Sequence, residues 1–205
     1  MSAVLFDLDR TLIDVQSFTD YEAALVDVEA FIGDWDDPPT PATGWDGPTR
    51  RAMGILVALS GDTRWEAVSQ TIERHELAGV NRSVAMPGLK AVLEATERLP
   101  RAVVTLLPPA AAQKALDRHG VRIEVVIGRT PDLKPKPAPD QLLEACSRLG
   151  VHHADAVMIG DSTWDHAAAV SAGCGFTGLT NHGPNEFPEA VETYDDLTEL
   201  AARME

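Results

Sequence analysis

The chain has 205 residues, a formal net charge of -15 and 44% hydrophobic residues, which suits one globular core with room for a smaller insert. This acidic balance argues against nucleic acid and anionic membrane surfaces as partners, and an anionic substrate needs a local cation to hold it. No run approaches the ~20 apolar residues of a membrane span, and the two cysteines have no ligand-like neighbours, so we expect a reducing, cytoplasmic setting.

The segment "VLFDLDRTLID" at residues 4–14 predicts a buried strand that ends on carboxylates. The apolar letters "AVLF" are typical of a short buried strand, and Asp7 and Asp9 follow it directly. Two carboxylates about 4 Å apart repel by roughly 4 kcal/mol at an effective dielectric near 20, so crowded aspartates are destabilising without a cation. The pattern therefore indicates a site for a cation, and carboxylate oxygens suit a hard divalent ion.

Residues 15–83 do not alternate with strands and predict a group of helices. Apolar side chains keep helical spacing from Phe18 to Trp35, and Ser17 with Asp20 fits a capping box at the start. A second helix is predicted over "TRRAMGILVAL", and a third from Thr63. The proline-rich stretch "DDPPTPATGWDGPT" between the first two is predicted as a loop across the surface of this small helical domain.

The rest of the chain predicts a parallel sheet wrapped by helices. An amphipathic helix over "MPGLKAVLEATERL" leads back to the sheet, and the later strands are expected at "RAVVTLL", "RIEVVIG", "DAVMIGD" and "CGFTGLT". The helices between these strands are predicted to end at Gly120, Gly150 and Gly173, because glycine is favoured at the left-handed position that follows a helix. We therefore expect an α/β fold, a Rossmann-like three-layer core with a mostly parallel sheet plus a small α-helical cap domain.

Polar side chains follow several of the predicted strands. Because ligands of open parallel sheets bind outside the carboxyl ends of the strands, these side chains are expected to share one crevice. They are Asp7 and Asp9 after the first strand, Thr105 after the second, Asp161 and Asp165 in "IGDSTWD", and Lys134 and Lys136 in "LKPKPAPD".

The segments "FDLDRTLID", "VVTLLP", "KPAPD" and "MIGDSTWD" together resemble the four ordered motifs of the haloacid dehalogenase superfamily, in its phosphatase-like branch with a helical cap inserted after the first motif. The resemblance covers the core, and residues 15–83 match only in kind. It implies a core of residues 1–14 and 84–205 and a cap of residues 15–83. It also implies Mg²⁺ as the cofactor, because most members are magnesium-dependent phosphatases.

The resemblance implies a role for each matching residue. Asp7 would be the nucleophile that forms an aspartyl-phosphate, and Asp9 the general acid and base. Thr105 would bind phosphoryl oxygens and Lys136 would neutralise Asp7 and the phosphate. Mg²⁺ would be held by Asp7, the backbone carbonyl of Asp9, Asp161 and, in support, Asp165. Asp9 favours phosphate ester hydrolysis, because a leaving alkoxide needs a proton.

Several positions depart from the family pattern or leave alternatives open. Arg10 stands where the family often has glycine, and either adds a substrate-binding cation or points into solvent. Leu106 follows Thr105 where relatives commonly carry a polar residue, and its phosphate contact would come from the backbone. Arg50 and Arg51 either grip a second anionic group or are solvated. Lys134 competes with Lys136, which fits the family spacing better.

These observations predict a Mg²⁺-dependent phosphatase that acts on a small phosphorylated substrate. The alternatives are a sugar-phosphate mutase of the same superfamily, or a non-catalytic phosphate-binding or receiver-like protein. Either a monomer or a homodimer is expected, with neither nucleic acid nor membrane as a partner.

Overall fold

The computed structural model describes residues 2–36 and 39–204. Within these ranges it contains eight β-strands and eight α-helices. The strands are β1 (Ala3–Phe6), β2 (Ile13–Asp14), β3 (Val84–Ala85), β4 (Arg101–Val104), β5 (Val125–Ile127), β6 (Ala156–Gly160), β7 (Gly175–Leu179) and β8 (Glu192–Tyr194). The helices are α1 (Tyr21–Ile32), α2 (Gly47–Ala58), α3 (Trp65–Val80), α4 (Leu89–Ala95), α5 (Pro109–Arg118), α6 (Asp140–Leu149), α7 (Thr163–Ala172) and α8 (Leu197–Met204).

Six strands form one sheet in the order β5-β4-β1-β6-β7-β8, and the pairs between them are parallel. The strand β1 is central, since Leu5 pairs with Ala102 of β4 on one side and with Met158 of β6 on the other. All its residues are buried, as a parallel strand between two helix layers requires. The parallel arrangement brings the carboxyl ends of β1, β4 and β6 to the same edge of the sheet.

Side chains of β1 alternate between two apolar clusters, which gives the core three layers. Val4 and Phe6 pack with residues of α4, α5 and α8, whereas Ala3 and Leu5 pack with residues of α6 and α7. This alternation follows from the two-residue period of a strand. The expected α/β, Rossmann-like three-layer core is confirmed.

Helices α1, α2 and α3 have an apolar cluster of their own. Val28 of α1, Ile55 of α2 and Ile72 of α3 are fully buried in it, and Trp164 of α7 belongs to the same cluster. The antiparallel pair β2 and β3, in which Ile13 faces Ala85, lies where this helical segment joins the sheet. The division into a core and a cap at residues 15–83 stays a prediction.

Two predicted helix starts are wrong, although the helices exist. Residues 16–18 form a 3₁₀ turn, and Asp20 caps α1 by accepting the N–H of Ala23 at 2.9 Å, so the capping box at Ser17 is not formed. The helix expected from Thr63 begins at Trp65 without a side-chain cap. The predicted glycine stops are confirmed, because φ is 68° at Gly120 and Gly150.

The proline-rich segment lies partly against the sheet domain and not only across the helices. Residues 37 and 38 fall outside the described residues, and residues 39–46 contain no helix or strand. The indole N–H of Trp164 donates to the carbonyl of Pro41 at 3.0 Å, and the Thr163 hydroxyl donates to the carbonyl of Ala42 at 2.6 Å. This loop therefore joins the helical segment to the start of α7.

Among the helices of residues 2–36 and 39–204, none combines the length and the apolar character needed to cross a bilayer.

Candidate active site

The strand β1 delivers Asp7 to the edge of the sheet and a tight turn carries Asp9 beyond it. The N–H of Asp7 still donates to Ile159 of β6 at 2.8 Å, and the residue is 6% exposed. The chain then reverses around the carbonyl of Leu8, which accepts the N–H groups of Leu12 and Ile13, each at 2.9 Å. The two aspartates thus occupy the same end of β1 but face different neighbours.

The lysine at the centre of the site is Lys136. Its Nζ lies 2.7 Å from Oδ1 of Asp7, 2.5 Å from Oδ1 of Asp165 and 2.9 Å from the carbonyl of Val104. Lys136 is 1% exposed, whereas Lys134 is exposed to solvent. Of the two lysines in the segment "LKPKPAPD", the structure brings Lys136 to Asp7.

Three carboxylates surround a common point beside this lysine. One oxygen each of Asp7, Asp161 and Asp165 lies within 4.8 Å of the others. Asp165 is held by Ser162, whose hydroxyl donates to its Oδ2 at 2.6 Å in a capping box at the start of α7. Gly160 makes room for it, since a Cβ there would meet the Asp165 carboxyl carbon at 2.6 Å.

Burial and mutual repulsion raise the pKa values of these acids. Burial raises the pKa of Asp7 from 3.8 to about 7, although Lys136 opposes the shift. Burial and the carboxylates of Asp7 and Asp165 hold the pKa of Asp161 well above its ordinary value. Burial alone would lower the pKa of Lys136, but Asp165 and Asp7 outweigh it and raise that pKa. One ammonium group therefore does not balance the three carboxylates, and the donor set fits a hard divalent cation such as Mg²⁺.

Asp9 occupies a different environment. Its Oδ1 accepts the N–H groups of Val15 and Gln16, each at 2.9 Å. Burial nevertheless raises the pKa of Asp9 to about 7, against these two hydrogen bonds. Such a carboxyl group can hold or release a proton near neutral pH, as general acid and base catalysis requires. The expected metal contact through the backbone carbonyl of Asp9 stays a prediction.

Thr105 and Leu106 follow β4 and complete the floor of the site. Thr105 is 1% exposed; its Oγ1 accepts the N–H of Leu107 at 3.1 Å, which leaves its O–H free to donate. The carbonyl of Thr105 accepts a hydrogen bond from Gln141, which also binds the N–H of Lys136, so the two loops hold each other in place.

These residues line an open cavity between the sheet and the helical segment, with about 410 Å³ of empty space that includes the part open to solvent. From the edge of the sheet the cavity is lined by Asp7, Asp9, Thr105, Leu106, Lys136, Asp161 and Asp165. From the helical segment it is lined by Gln16, Tyr21, Trp45, Thr49, Met53 and Glu76.

Arg10 adopts a positive φ of 57°, a conformation that glycine adopts most easily. Its Nε lies 3.6 Å from Asp161, and its side chain lines an adjoining cavity, of about 550 Å³, together with Asn181 and Glu186. A contact between Arg10 and the substrate stays a prediction, and it requires the substrate to extend into this adjoining cavity.

Arg50 and Arg51 do not line this cavity, and the expectation that they grip a second anionic group of the substrate stays a prediction. Both line a separate surface cleft with Gly54. Arg51 pairs with Glu29 at 2.8 Å and its guanidinium lies 5.3 Å from the ring centroid of Trp35. The reason is the direction of α2, which turns Thr49 and Met53 toward the cavity and this pair away from it.

The sequence analysis missed a buried ion pair behind the cavity. Both terminal nitrogens of Arg129 donate to the carboxylate of Glu76 at 2.7 Å, and both side chains are completely buried. Arg129 also donates to Ser69 of α3 and to the carbonyl of Leu106. The sequence carries a signal for this ion pair. Glu76 lies four residues after Ile72 on the apolar face of α3, and a charged side chain on a buried face needs a partner of opposite charge.

A family model described as haloacid dehalogenase-like hydrolase matches residues 1–173. The chain belongs to this family. A phosphoglycolate phosphatase from Psychrobacter arcticus is 32% identical, over 96% of this chain and 93% of the relative. Another, from Pasteurella multocida, is 28% identical over 98% and 96% of the two chains. The resemblance seen in the motifs is confirmed, and so is the expected enzyme class, a phosphoric monoester hydrolase of the haloacid dehalogenase superfamily.

Solved structures of haloacid dehalogenase-like hydrolases share the fold. A hydrolase from Pseudomonas syringae superposes with a TM-score of 0.76 at 22% identity, covering 100% of this chain and 98% of that one. CbbY from Rhodobacter sphaeroides, solved in complex with phosphate, gives a TM-score of 0.71 at 21% identity, covering 98% and 96%.

Proposed function

We propose that the chain is a Mg²⁺-dependent phosphatase that hydrolyses a small phosphorylated metabolite through an aspartyl-phosphate on Asp7. The observation that carries the proposal is the bridge of Lys136 between Asp7 and Asp165 at the floor of the cavity, with Asp161 beside them and Asp9 held apart. The curated relatives are named phosphoglycolate phosphatases, which supports a small phosphate monoester as the substrate class.

In the proposed reaction, an oxygen of Asp7 attacks phosphorus and the bond from phosphorus to the leaving oxygen breaks. Asp9 donates its proton to that oxygen, so the leaving group departs as a neutral alcohol. Asp9, now ionised, removes a proton from a water whose oxygen attacks the phosphorus of the aspartyl-phosphate. The bond from phosphorus to the Asp7 oxygen breaks, so inorganic phosphate leaves and the Asp7 carboxylate and the protonated Asp9 are restored. Lys136 favours the ionised form of Asp7, and Thr105 donates its hydroxyl to a phosphoryl oxygen.

Asp7, Asp161, Asp165 and the backbone carbonyl of Asp9 are the proposed ligands of Mg²⁺. When bound, the ion neutralises the carboxylates and the charge of the phosphoryl group. Residues 15–83 act as the cap over the core of residues 1–14 and 84–205, with hinges near residues 14–17 and 80–85.

Turnover should require Mg²⁺, and the ion should stabilise the fold more at about pH 8 than at about pH 5.5. In the metal-free protein the pKa of Asp7 is raised from 3.8 to about 7, so between these values the folded state binds more protons than the unfolded state. Its stability therefore falls as the pH rises, and a divalent ion offsets that loss. The metal requirement is checked by phosphate release from p-nitrophenyl phosphate in EDTA and in Mg²⁺. The stabilisation is checked by the thermal midpoint with and without Mg²⁺ at both pH values. Unchanged turnover in EDTA would refute the metal requirement.

Replacement of Asp9 by asparagine should lower kcat by about 10²-fold or more, because the leaving group loses its proton donor. The loss should be larger for an alkyl phosphate than for p-nitrophenyl phosphate, whose leaving group needs less protonation. Steady-state kinetics on both substrates measure the difference. Asp117→Asn, at an exposed position of α5 outside the cavity, is the matched control, and an equal loss on both substrates would contradict the acid role.

A further inference from the structure

Among the described residues that line the catalytic cavity, no cation is left for a second anionic group of the substrate. Lys136 is the only lysine or arginine that lines the cavity within the described residues. The Nζ of Lys136 already contacts Asp7 and Asp165, and in the proposed reaction it also neutralises the phosphate that is transferred.

Arg129 and Arg10 each lie beside a carboxylate of the cavity lining, at Glu76 and Asp161 respectively. Arg129 lies behind the wall, with its guanidinium bound to both oxygens of Glu76. Arg10 lies beyond Asp161 in the adjoining cavity, which Glu186 also lines. A carboxylate on the leaving group would therefore enter a space bordered by acids and without a partner, which is unfavourable in a buried site.

The helical wall of the cavity instead contains a threonine, Thr49, whose hydroxyl is unsatisfied. Thr49 is 3% exposed, and its Oγ1 has no hydrogen-bond partner in the part of the chain that the structure describes. The N–H of the same residue is already bound by Asp46 at 2.7 Å. Because buried polar groups are normally paired, the free hydroxyl of Thr49 fits a partner supplied by the substrate.

The surroundings of Thr49 suit a neutral ligand with both polar and apolar faces. Gln16 contributes an amide, which can donate and accept, and the Tyr21 hydroxyl donates to Glu76 at 3.2 Å. Trp45 and Met53 provide an apolar surface, and Trp45 is held against Trp164 with ring centroids 5.0 Å apart.

We propose that the leaving group is a neutral hydroxylated alcohol, as in a sugar or polyol phosphate, which hydrogen-bonds to Thr49 and packs on Trp45, and that leaving groups with a carboxylate are rejected. This inference rests on the proposed phosphatase function and names its substrate class. The proposed substrate differs from 2-phosphoglycolate, the substrate in the name of the relatives, because 2-phosphoglycolate carries a carboxylate on its leaving group.

A matched pair of substrates tests the inference. 2-Hydroxyethyl phosphate has the shape of 2-phosphoglycolate with an alcohol in place of the carboxylate. We expect its kcat/KM to be at least about tenfold higher, with sugar phosphates higher still, because the site has no partner for the charge. A preference for 2-phosphoglycolate, with p-nitrophenyl phosphate also hydrolysed, would overturn this inference and leave the phosphatase function standing. Failure to hydrolyse any of them would instead refute the proposed function.

Variants of Thr49 test the contact itself. Thr49→Val keeps the shape and removes the hydroxyl, so KM for the hydroxylated substrates should rise about 5- to 10-fold, with p-nitrophenyl phosphate within about twofold. Thr49→Ser restores an oxygen and should retain the preference. Thr71→Val, a buried threonine of α3 that lines another cleft, is the control. Equal losses on all substrates, or equal effects of valine and serine at position 49, would overturn the contact.

Discussion

Replacement of Asp7 by asparagine is expected to lower kcat for phosphate release by about 10⁴-fold or more, because an amide cannot form the covalent intermediate. The variant should fold, since an asparagine oxygen can still accept the hydrogen bond that Lys136 donates to Asp7 at 2.7 Å. Removal of one charge from the cluster of Asp7, Asp161 and Asp165 also relieves repulsion. Phosphate release from p-nitrophenyl phosphate with Mg²⁺ measures the loss, and circular dichroism checks the fold.

The matched control removes the same charge elsewhere. Asp117 lies exposed on α5 and pairs with Gln113, so Asp117→Asn should keep full activity. In the wild-type protein, brief reaction followed by acid quenching should leave a phosphoryl mass on the peptide that contains Asp7. Turnover by Asp7→Asn within about tenfold of wild type would rule out the nucleophile assignment.

Removal of one member of the Arg129 and Glu76 pair is expected to cost about 3–5 kcal/mol of unfolding free energy, because the remaining charge stays buried without its partner. Both side chains are 0% exposed and joined by two bonds of 2.7 Å. Urea unfolding of Arg129→Met and of Glu76→Leu measures the cost. The double variant should lose clearly less than the sum of the two, because it leaves no unpaired charge.

An exposed pair at a similar distance, joined by one hydrogen bond, serves as the control. Arg51 and Glu29 are 2.8 Å apart, but their side chains are 51% and 45% exposed. Arg51→Met should change stability by no more than about 1 kcal/mol, since water screens and solvates both charges. A loss at Arg129 no larger than the loss at Arg51 would show that burial does not set the strength of this pair.

Much of the fold could be predicted, because in the core the local sequence pattern favours the same strands and helices that the structure contains. Five apolar runs became strands of one sheet, and Gly120 and Gly150 end their helices with φ of 68°. The strand β8 was missed because Glu192–Tyr194 lie at the edge and form no apolar run. The start of α1 was misplaced because Ser17 and Asp20 both suit a cap, and only the geometry of the 3₁₀ turn decides between them.

The residues of the candidate site that directly follow strands could be predicted from the sequence. Asp7, Thr105 and Asp161 share a crevice because parallel strands bring their carboxyl ends together. The contributions of the helical segment were not predictable, since the facing of α2 depends on packing against α1 and α3. Sequence spacing alone could not tell that Thr49 faces the cavity and Arg50 does not.

The central position of β1 also bears on how the chain acquires its shape during synthesis. The partners of β1 begin at Arg101 of β4 and Ala156 of β6, long after β1 itself leaves the ribosome. Pairing between segments so distant in the chain raises the contact order and slows folding. The strand that bears the reactive carboxylate therefore stays unpaired until about half of the polypeptide has been made, and it gains its second neighbour only when β6 follows.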